Sequence, residues 1–324
     1  MTKIDRSCEY IEPILSDPIP YTLIPYTLIP YNLIPYTLYL TYPTPLKMCY
    51  HKSLVNSIDY LADYYSASYS DVMAEIYTPH YHENGFDFQT SPIVTAERKN
   101  ELLPYNWGLI PWWTKSLNDG LRLRVQTLNC ISEEMYDKPS FRDSAVENKR
   151  CLIPCSGFFE WRWMDEKGKS KVPYYLTIPD QPLFSIAGLY SRWKDRTTDQ
   201  ELFTYTVLTT KANRLMEKVH NSKRRMPVII PRQYEQDWLN PNLTKDDVIA
   251  LCQPFSTDLM EGHTISKLIT SKTEETDVPK VMEPQVYQEV VDADNGIVTP
   301  KGEVSKKKKS PKSAKGNEGQ GSLF

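Results

Sequence analysis

Two things are scarce in this chain: glycine, at 12 of 324 residues, and uninterrupted apolar sequence. No apolar run approaches the ~18 residues that a membrane-spanning helix needs, which excludes a helical span. The start lacks the charged opening, unbroken apolar stretch and small-residue cleavage site of a secretory signal. Six cysteines (Cys8, Cys49, Cys130, Cys151, Cys155, Cys252) show no disulfide-framework spacing. Cys151 and Cys155 lie four apart, but no second pair or nearby His cluster completes a zinc motif. The expectation is a reduced, cytoplasmic monomer with no metal and no cofactor. An excess of one charge sign is missing too. The net charge is -3, with seven Lys against two Glu in residues 301–324, so that tail is net +5 and the remainder net -8. Nucleic-acid binding therefore has to come from a local basic face.

Proline and tyrosine, in contrast, are abundant (25 and 22), and much of the excess sits near the start. Residues 19–38 read IPYTLIPYTLIPYNLIPYTL, a five-residue unit repeated four times with Asn32 as the one change. A period of five matches neither helix nor strand, and Pro in every unit breaks a helix and blocks a central strand. Solenoid units need roughly 20 residues or more, so residues 1–47 are either a Pro-rich extended linker or sequence upstream of the true start. From about residue 292 the chain becomes rich in Lys, Ser and Gly without apolar periodicity, the composition of a disordered tail. The folded domain is expected over 48–288, with 289–324 as the tail.

Within that domain, 54–77 has helical character. Strand-like runs follow at 91–96, 105–113, 151–161, 173–178, 183–190 and 203–210, with another at 228–230. Shorter helices are expected at 212–219, 232–239 and 247–255. Many short strands with interspersed helices predict an α+β domain around a curved, barrel-like, mostly antiparallel sheet with peripheral helices.

Five stretches carry candidate chemistry: MCYHKS (48–53), NWGLIPWW (106–113), TLNCISEEMYDKPSFR (127–142), CLIPCSGFFEW (151–161) and VHNSKRRMPVII (219–230). Singly, each has a plain structural reading: a core strand with a Pro turn, a bulged strand with an outward Glu, a structural His, a buried Cys. Together and in this order they resemble the abasic-site-processing SRAP (SOS response-associated peptidase) family over about residues 48–285. In that family Met-Cys opens the protein. A WGLIP segment, an Asn-containing segment ending in KPSFR, an RCLIP-x-x-GFYEW segment and a His followed by RMP come next. The resemblance implies a catalytic set of Cys49, Asn129, Glu160 and His220. It also implies covalent capture of abasic sites in single-stranded DNA and, with it, a nucleoid-associated location.

The chemistry of those residue types fits. An abasic sugar equilibrates with a ring-opened aldehyde, and an N-terminal Cys offers an amine and a thiol two carbons apart. The amine forms an imine and the thiol closes it to a five-membered thiazolidine. On family precedent, His220 promotes ring opening and Glu160 orients the amine and shuttles protons, while Asn129 hydrogen-bonds without altering the proton balance. An internal Cys49 has only an amide nitrogen, which forms no imine. The reading therefore requires that translation start at Met48 with Met48 then removed, or that residues 1–48 be cleaved off. A cysteine-type (auto)peptidase acting at Met48–Cys49 and a noncovalent single-strand binder or clamp adaptor remain as alternatives.

For DNA contact, Trp112 and Trp113 can stack on bases, and Arg224, Arg225 and Arg142 can hold phosphates. The chain departs from the family pattern where Asn-Ala-Arg becomes Asn129-Cys130-Ile131, leaving Arg122 or Arg124 as substitutes for the missing Arg. The last residues, QGSLF, resemble the short peptide with which bacterial repair proteins dock on the replication sliding clamp. Gln320, Leu323 and Phe324 would fill its pockets at the end of a flexible tether.

Overall fold

The computed structural model describes residues 49–295. The five-residue repeat, Met48 and the proposed clamp peptide at Gln320, Leu323 and Phe324 lie outside the described residues. The chain opens with β1 (His51–Leu54), α1 (Ile58–Tyr65), β2 (Ser68–Tyr69) and α2 (Asp71–Ile76). Next come β3 (His80–Asn84), β4 (Thr90–Thr95), β5 (Glu101–Trp107), α3 (Leu117–Arg124), β6 (Asn129–Ile131) and α4 (Arg142–Val146). The middle is all strand: β7 (Arg150–Cys155), β8 (Gly157–Trp163), β9 (Lys171–Thr177), β10 (Phe184–Lys194) and β11 (Glu201–Lys211). Then follow α5 (Arg214–Val219), β12 (Arg225–Pro227), β13 (Ile229–Ile230) and α6 (Glu235–Trp238). α7 (Lys245–Leu251), β14 (Glu261–Thr264) and α8 (Gln288–Asp294) come last.

The α+β class holds, with two sheets. One runs β14-β9-β8-β1-β3, and the larger is built on the path β12-β11-β10-β7-β4-β5-β2 with β6 and β13 added to it. Pairing is antiparallel except where β5 and β6 join β11 and where β2 joins β5. The larger sheet is buried on both faces, so its central strands read as nearly continuous apolar runs. Successive residues alternate between two cores. Ile153, Ile186 and Val207 enter one with Phe158, Leu176 and Val219. Leu152, Ala187 and Leu208 enter the other with Leu61, Trp238 and Val248.

Residues 151–161 form two strands rather than one. β7 belongs to the larger sheet and β8 to the smaller, with only Ser156 between them. Its N–H donates to the Ser53 carbonyl at 2.9 Å, which anchors the bend to β1. Gly157 makes the bend possible, because a Cβ there would overlap the Tyr175 ring. The stretch 54–77 is likewise not one helix. Ser57 caps α1 by accepting from the Tyr60 N–H, Ser66 ends it in a left-handed conformation, and Ser70 caps α2 afresh. Serines at such positions favour caps over helix interior. β5 stops at Trp107 because Gly108 turns at φ 100. A Cβ on Gly108 would press on Arg124 and Phe88 at 3.1 and 3.2 Å.

α8 crosses the boundary expected at 288. Val290 is buried, and Asp294 pairs with Arg162 and Lys218, each at an N–O distance under 3 Å (2.7 and 2.6 Å). No helix among the described residues is long and apolar enough to cross a membrane.

Candidate active site

Three segments far apart in sequence meet at one point. Cys49 lies just before β1, which pairs with β8 so that His51 stands opposite Phe159. Continuing that antiparallel register by one residue sets Tyr50 opposite Glu160, with Cys49 next to it. α5 packs against β8 through Met216 and Val219, both fully buried in the core between the sheets. His220 caps that helix, its N–H donating to the Met216 carbonyl at 2.7 Å. As a result the Cys49 thiol, a Glu160 carboxylate oxygen and a His220 ring nitrogen all lie within 4.8 Å of one another, and all three residues are buried.

The electrostatics follow from that burial. The Cys49 thiol is pushed well above its ordinary pKa, first by desolvation, then by the charge and hydrogen bonding of Glu160. It therefore rests protonated. His220 Nδ1 lies 2.9 Å from the Arg225 carbonyl oxygen, a bond in which the nitrogen must donate. In the neutral ring this fixes the lone pair on Nε2. Nδ1 is also 3.8 Å from Glu160 Oε1, which accepts no hydrogen bond. A buried carboxylate oxygen without a donor is costly, so it is poised for a proton from a reacting group.

Asn129 sits on β6 beside β11, opposite Val207. It is buried, and neither amide atom has a hydrogen-bond partner in the structure. Two residues along β11, Thr209 stands between Ile131 on one side and Pro227 on the other, which ties β6 to the strand that follows His220.

The residues expected to touch DNA fall into two groups. Trp112 and Trp113 are among the most exposed large apolar side chains, at 51% and 39%. Their indole N–H groups donate to Asp143 and to the Pro139 carbonyl, which brings them to the KPSFR segment and to Arg142 at the start of α4. Arg142 is half-exposed and pairs with Asp143.

Arg224 and Arg225 belong to the second group, beside His220. The N–H groups of Lys223 and Arg224 both donate to the His220 carbonyl, so the longer HNSKRRMP segment closes on His220 itself, with Arg224 at φ 53. Arg225 is engaged: its guanidinium binds both oxygens of Glu133 at 2.9 and 2.7 Å and donates to the Thr209 carbonyl. Glu133 is held below the usual carboxylate range by that pairing.

Arg124 does not replace the missing family Arg. It is buried, stacked 4.2 Å over Phe88, and donates to the Trp107 carbonyl at 3.0 Å. Arg122 is exposed.

Two features escaped the sequence reading. Arg192, Lys194 and Arg196, on and after β10, share a groove with Trp112 and Asp199. His51 and His82 bond at 2.8 Å on the wall of a cavity of about 380 Å³ that also takes in Asn84, Gln89 and Asp277. Alternating charges on a hairpin and isolated histidines carry no sequence signal by themselves.

The model of the SOS response associated peptidase (SRAP) family matches residues 48–272. This chain belongs to that family. Abasic site processing protein YoqW of Bacillus subtilis is 39% identical over 180 residues, covering 55% of this chain and 75% of YoqW. Abasic site processing protein HMCES of Gallus gallus is 26% identical over 195 residues, 54% of this chain and 55% of HMCES. A crystal structure of a Bacteroides thetaiotaomicron protein superposes with a TM-score of 0.68 at 35% identity, covering 74% of this chain and all of that one. The SRAP match spans Cys49, Glu160 and His220 together.

Proposed function

We propose that this SRAP protein processes abasic sites in single-stranded DNA by trapping the lesion on Cys49. The supporting observation is the convergence of Cys49, Glu160 and His220 within 4.8 Å, in a chain whose relatives are named abasic site processing proteins.

With its amine free, Cys49 offers an α-amino group of pKa about 7.7–8.0, partly neutral at physiological pH. The thiol is held protonated by burial and Glu160, so the amine attacks first. Its nitrogen adds to the aldehyde carbon of the opened sugar, and loss of one water leaves an iminium. The thiol sulfur then adds to the iminium carbon, its proton passing to Glu160 or His220, and the five-membered thiazolidine closes. His220, with its lone pair on Nε2, opens the sugar ring by proton transfer; Glu160 takes and returns protons beside the amine. Asn129 offers an amide with no internal partner to the sugar or the amine.

A peptidase acting at Met48–Cys49 would call on the same thiol. A thiol nucleophile of that class works as a thiolate of lowered pKa, and here the pKa is raised.

On this reading Trp112 and Trp113 stack on bases or wedge at a strand junction. Arg142, Arg224 and Arg225 hold phosphates, joined by Arg192, Lys194 and Arg196. The QGSLF peptide at Gln320, Leu323 and Phe324 docks on the sliding clamp.

The test incubates protein beginning at Cys49 with abasic and intact oligonucleotides, followed by denaturing electrophoresis. A denaturation-resistant band is expected with abasic DNA alone, absent in Cys49→Ala and slowed about 10²–10⁴-fold in His220→Ala. Peptide cleavage without DNA would favour the peptidase, and purely salt-sensitive binding the noncovalent adaptor.

A further inference from the structure

The same three side chains have a second chemistry that abasic-site capture does not use. A thiol, a carboxylate and an imidazole, drawn from three different elements and buried together, make a donor set of the kind that binds Zn2+. We propose that Cys49, Glu160 and His220 bind one thiophilic divalent cation, Zn2+ foremost, and that the bound cation blocks the nucleophile.

Charge, geometry and donor type support the site. One thiolate, one carboxylate and a neutral imidazole sum to two negative charges, which a divalent cation neutralises without leaving net charge in a buried space. Tetrahedral Zn2+ holds its donors at about 2.0–2.3 Å, hence donors about 3.2–3.8 Å from each other. The three candidate donor atoms lie within 4.8 Å of one another, so reaching those separations needs about an ångström of side-chain rotation.

Glu160 Oε1 has no hydrogen-bond donor to surrender on binding. The His220 Nδ1 bond to the Arg225 carbonyl is the outer contact that fixes a metal-binding imidazole. The nearest cation, Arg225, is already neutralised by Glu133. Hard cations such as Mg2+ and Ca2+ require all-oxygen surroundings, so this set discriminates against them.

Binding releases one proton, from the thiol. Where the Cys49 amine is free, it closes a five-membered chelate with the thiolate as fourth ligand; otherwise water fills that position. Either way the sulfur lone pair needed for thiazolidine closure is committed to the cation. Inhibition, unlike binding, rests on the crosslinking reading above.

The test is a Co2+ titration of the full 324-residue chain, followed by absorption spectroscopy and Zn2+ back-titration. The expected result is one equivalent of Co2+ giving thiolate charge-transfer and tetrahedral d–d bands, displaced by Zn2+ and unaffected by excess Mg2+. Cys49→Ser should abolish the charge-transfer band. Glu160→Gln and His220→Gln should each weaken binding by about tenfold or more, whereas Cys252→Ser should leave it intact. Zn2+ should raise the melting temperature of the unmodified protein and of Cys252→Ser but not of Cys49→Ser, and each variant's own cooperative melt establishes that it is folded. Binding that survives Cys49→Ser, or no equimolar binding, overturns the site.

A separate arm adds one equivalent of Zn2+ to protein beginning at Cys49 before abasic DNA. Loss of the crosslink, restored by chelator, is expected, and undiminished crosslinking overturns the inhibition. If the metal-free protein forms no crosslink, the proposed function fails while the spectroscopic result for the site still stands.

Discussion

At the residue scale, Arg225 is where motif and structure part. The RMP motif marks it as a phosphate ligand, yet it is clamped by Glu133 in a bidentate pair. Glu133 is 40% exposed at its side chain, and an ion pair in that setting contributes about 0–1 kcal/mol, so a DNA phosphate can displace it. Glu133→Gln removes the competitor. Single-stranded DNA affinity should rise a few-fold, up to about fivefold, and the log affinity versus log salt slope should steepen by about one phosphate contact. Salt titrations by fluorescence anisotropy measure both, and an unchanged slope would mean that Arg225 does not move to DNA. Cys49, Glu160 and His220 were legible in the sequence because each sits in a long, ordered motif. Glu133 was not, since an acidic pair in a loop reads as solvated and its partner lies 92 residues away.

At the element scale, the residue pattern located the strands within 91–96, 151–161, 173–178, 183–190 and 203–210 but not where they break, and it passed over α3, α4, β3 and β14. CLIPCSGFFEW is apolar throughout, so nothing in its pattern marks Ser156 as the passage between sheets; only the contact of Gly157 with Tyr175 does. The residue pattern over 54–77 suits a helix, and capping serines divide it.

β3 adds a pH-dependent element that sequence alone hides. His82 is buried between His51 and Thr276, with Glu83, Glu275 and Asp277 also acting on it. Desolvation outweighs those carboxylates and lowers its pKa to about 4. The folded state thus favours neutral His82. Its contribution is fully present above about pH 6.5, the unfolded value, and is lost as the pH falls toward 4. The loss amounts to about 2–3 kcal/mol. Urea unfolding at pH 7 and pH 4.5 should show a smaller drop in His82→Gln than in the unmodified protein. An equal drop would place the acid sensitivity elsewhere.

At the scale of the whole molecule, the active site is a product of topology. Residue 49 lies just before β1, residue 160 in β8 and residue 220 at the cap of α5, and no local spacing announces their meeting. For that reason cysteine spacing gave no hint of this cluster, whereas the ordered motifs singled out its three members one by one.

The C-terminal peptide extends the proposed function to replication. Deleting residues 320–324 should abolish retention on immobilised sliding clamp and leave crosslinking by the domain unchanged; clamp retention by the deleted protein would dismiss the motif.

The most direct measurement of the central claim is tandem mass spectrometry of the protease-digested crosslink. The predicted product is a peptide whose first residue is Cys49, joined to the sugar with loss of one water and bonded through both nitrogen and sulfur. An adduct on a lysine, or a crosslink to a chain in which Cys49 still carries a preceding residue, would contradict it.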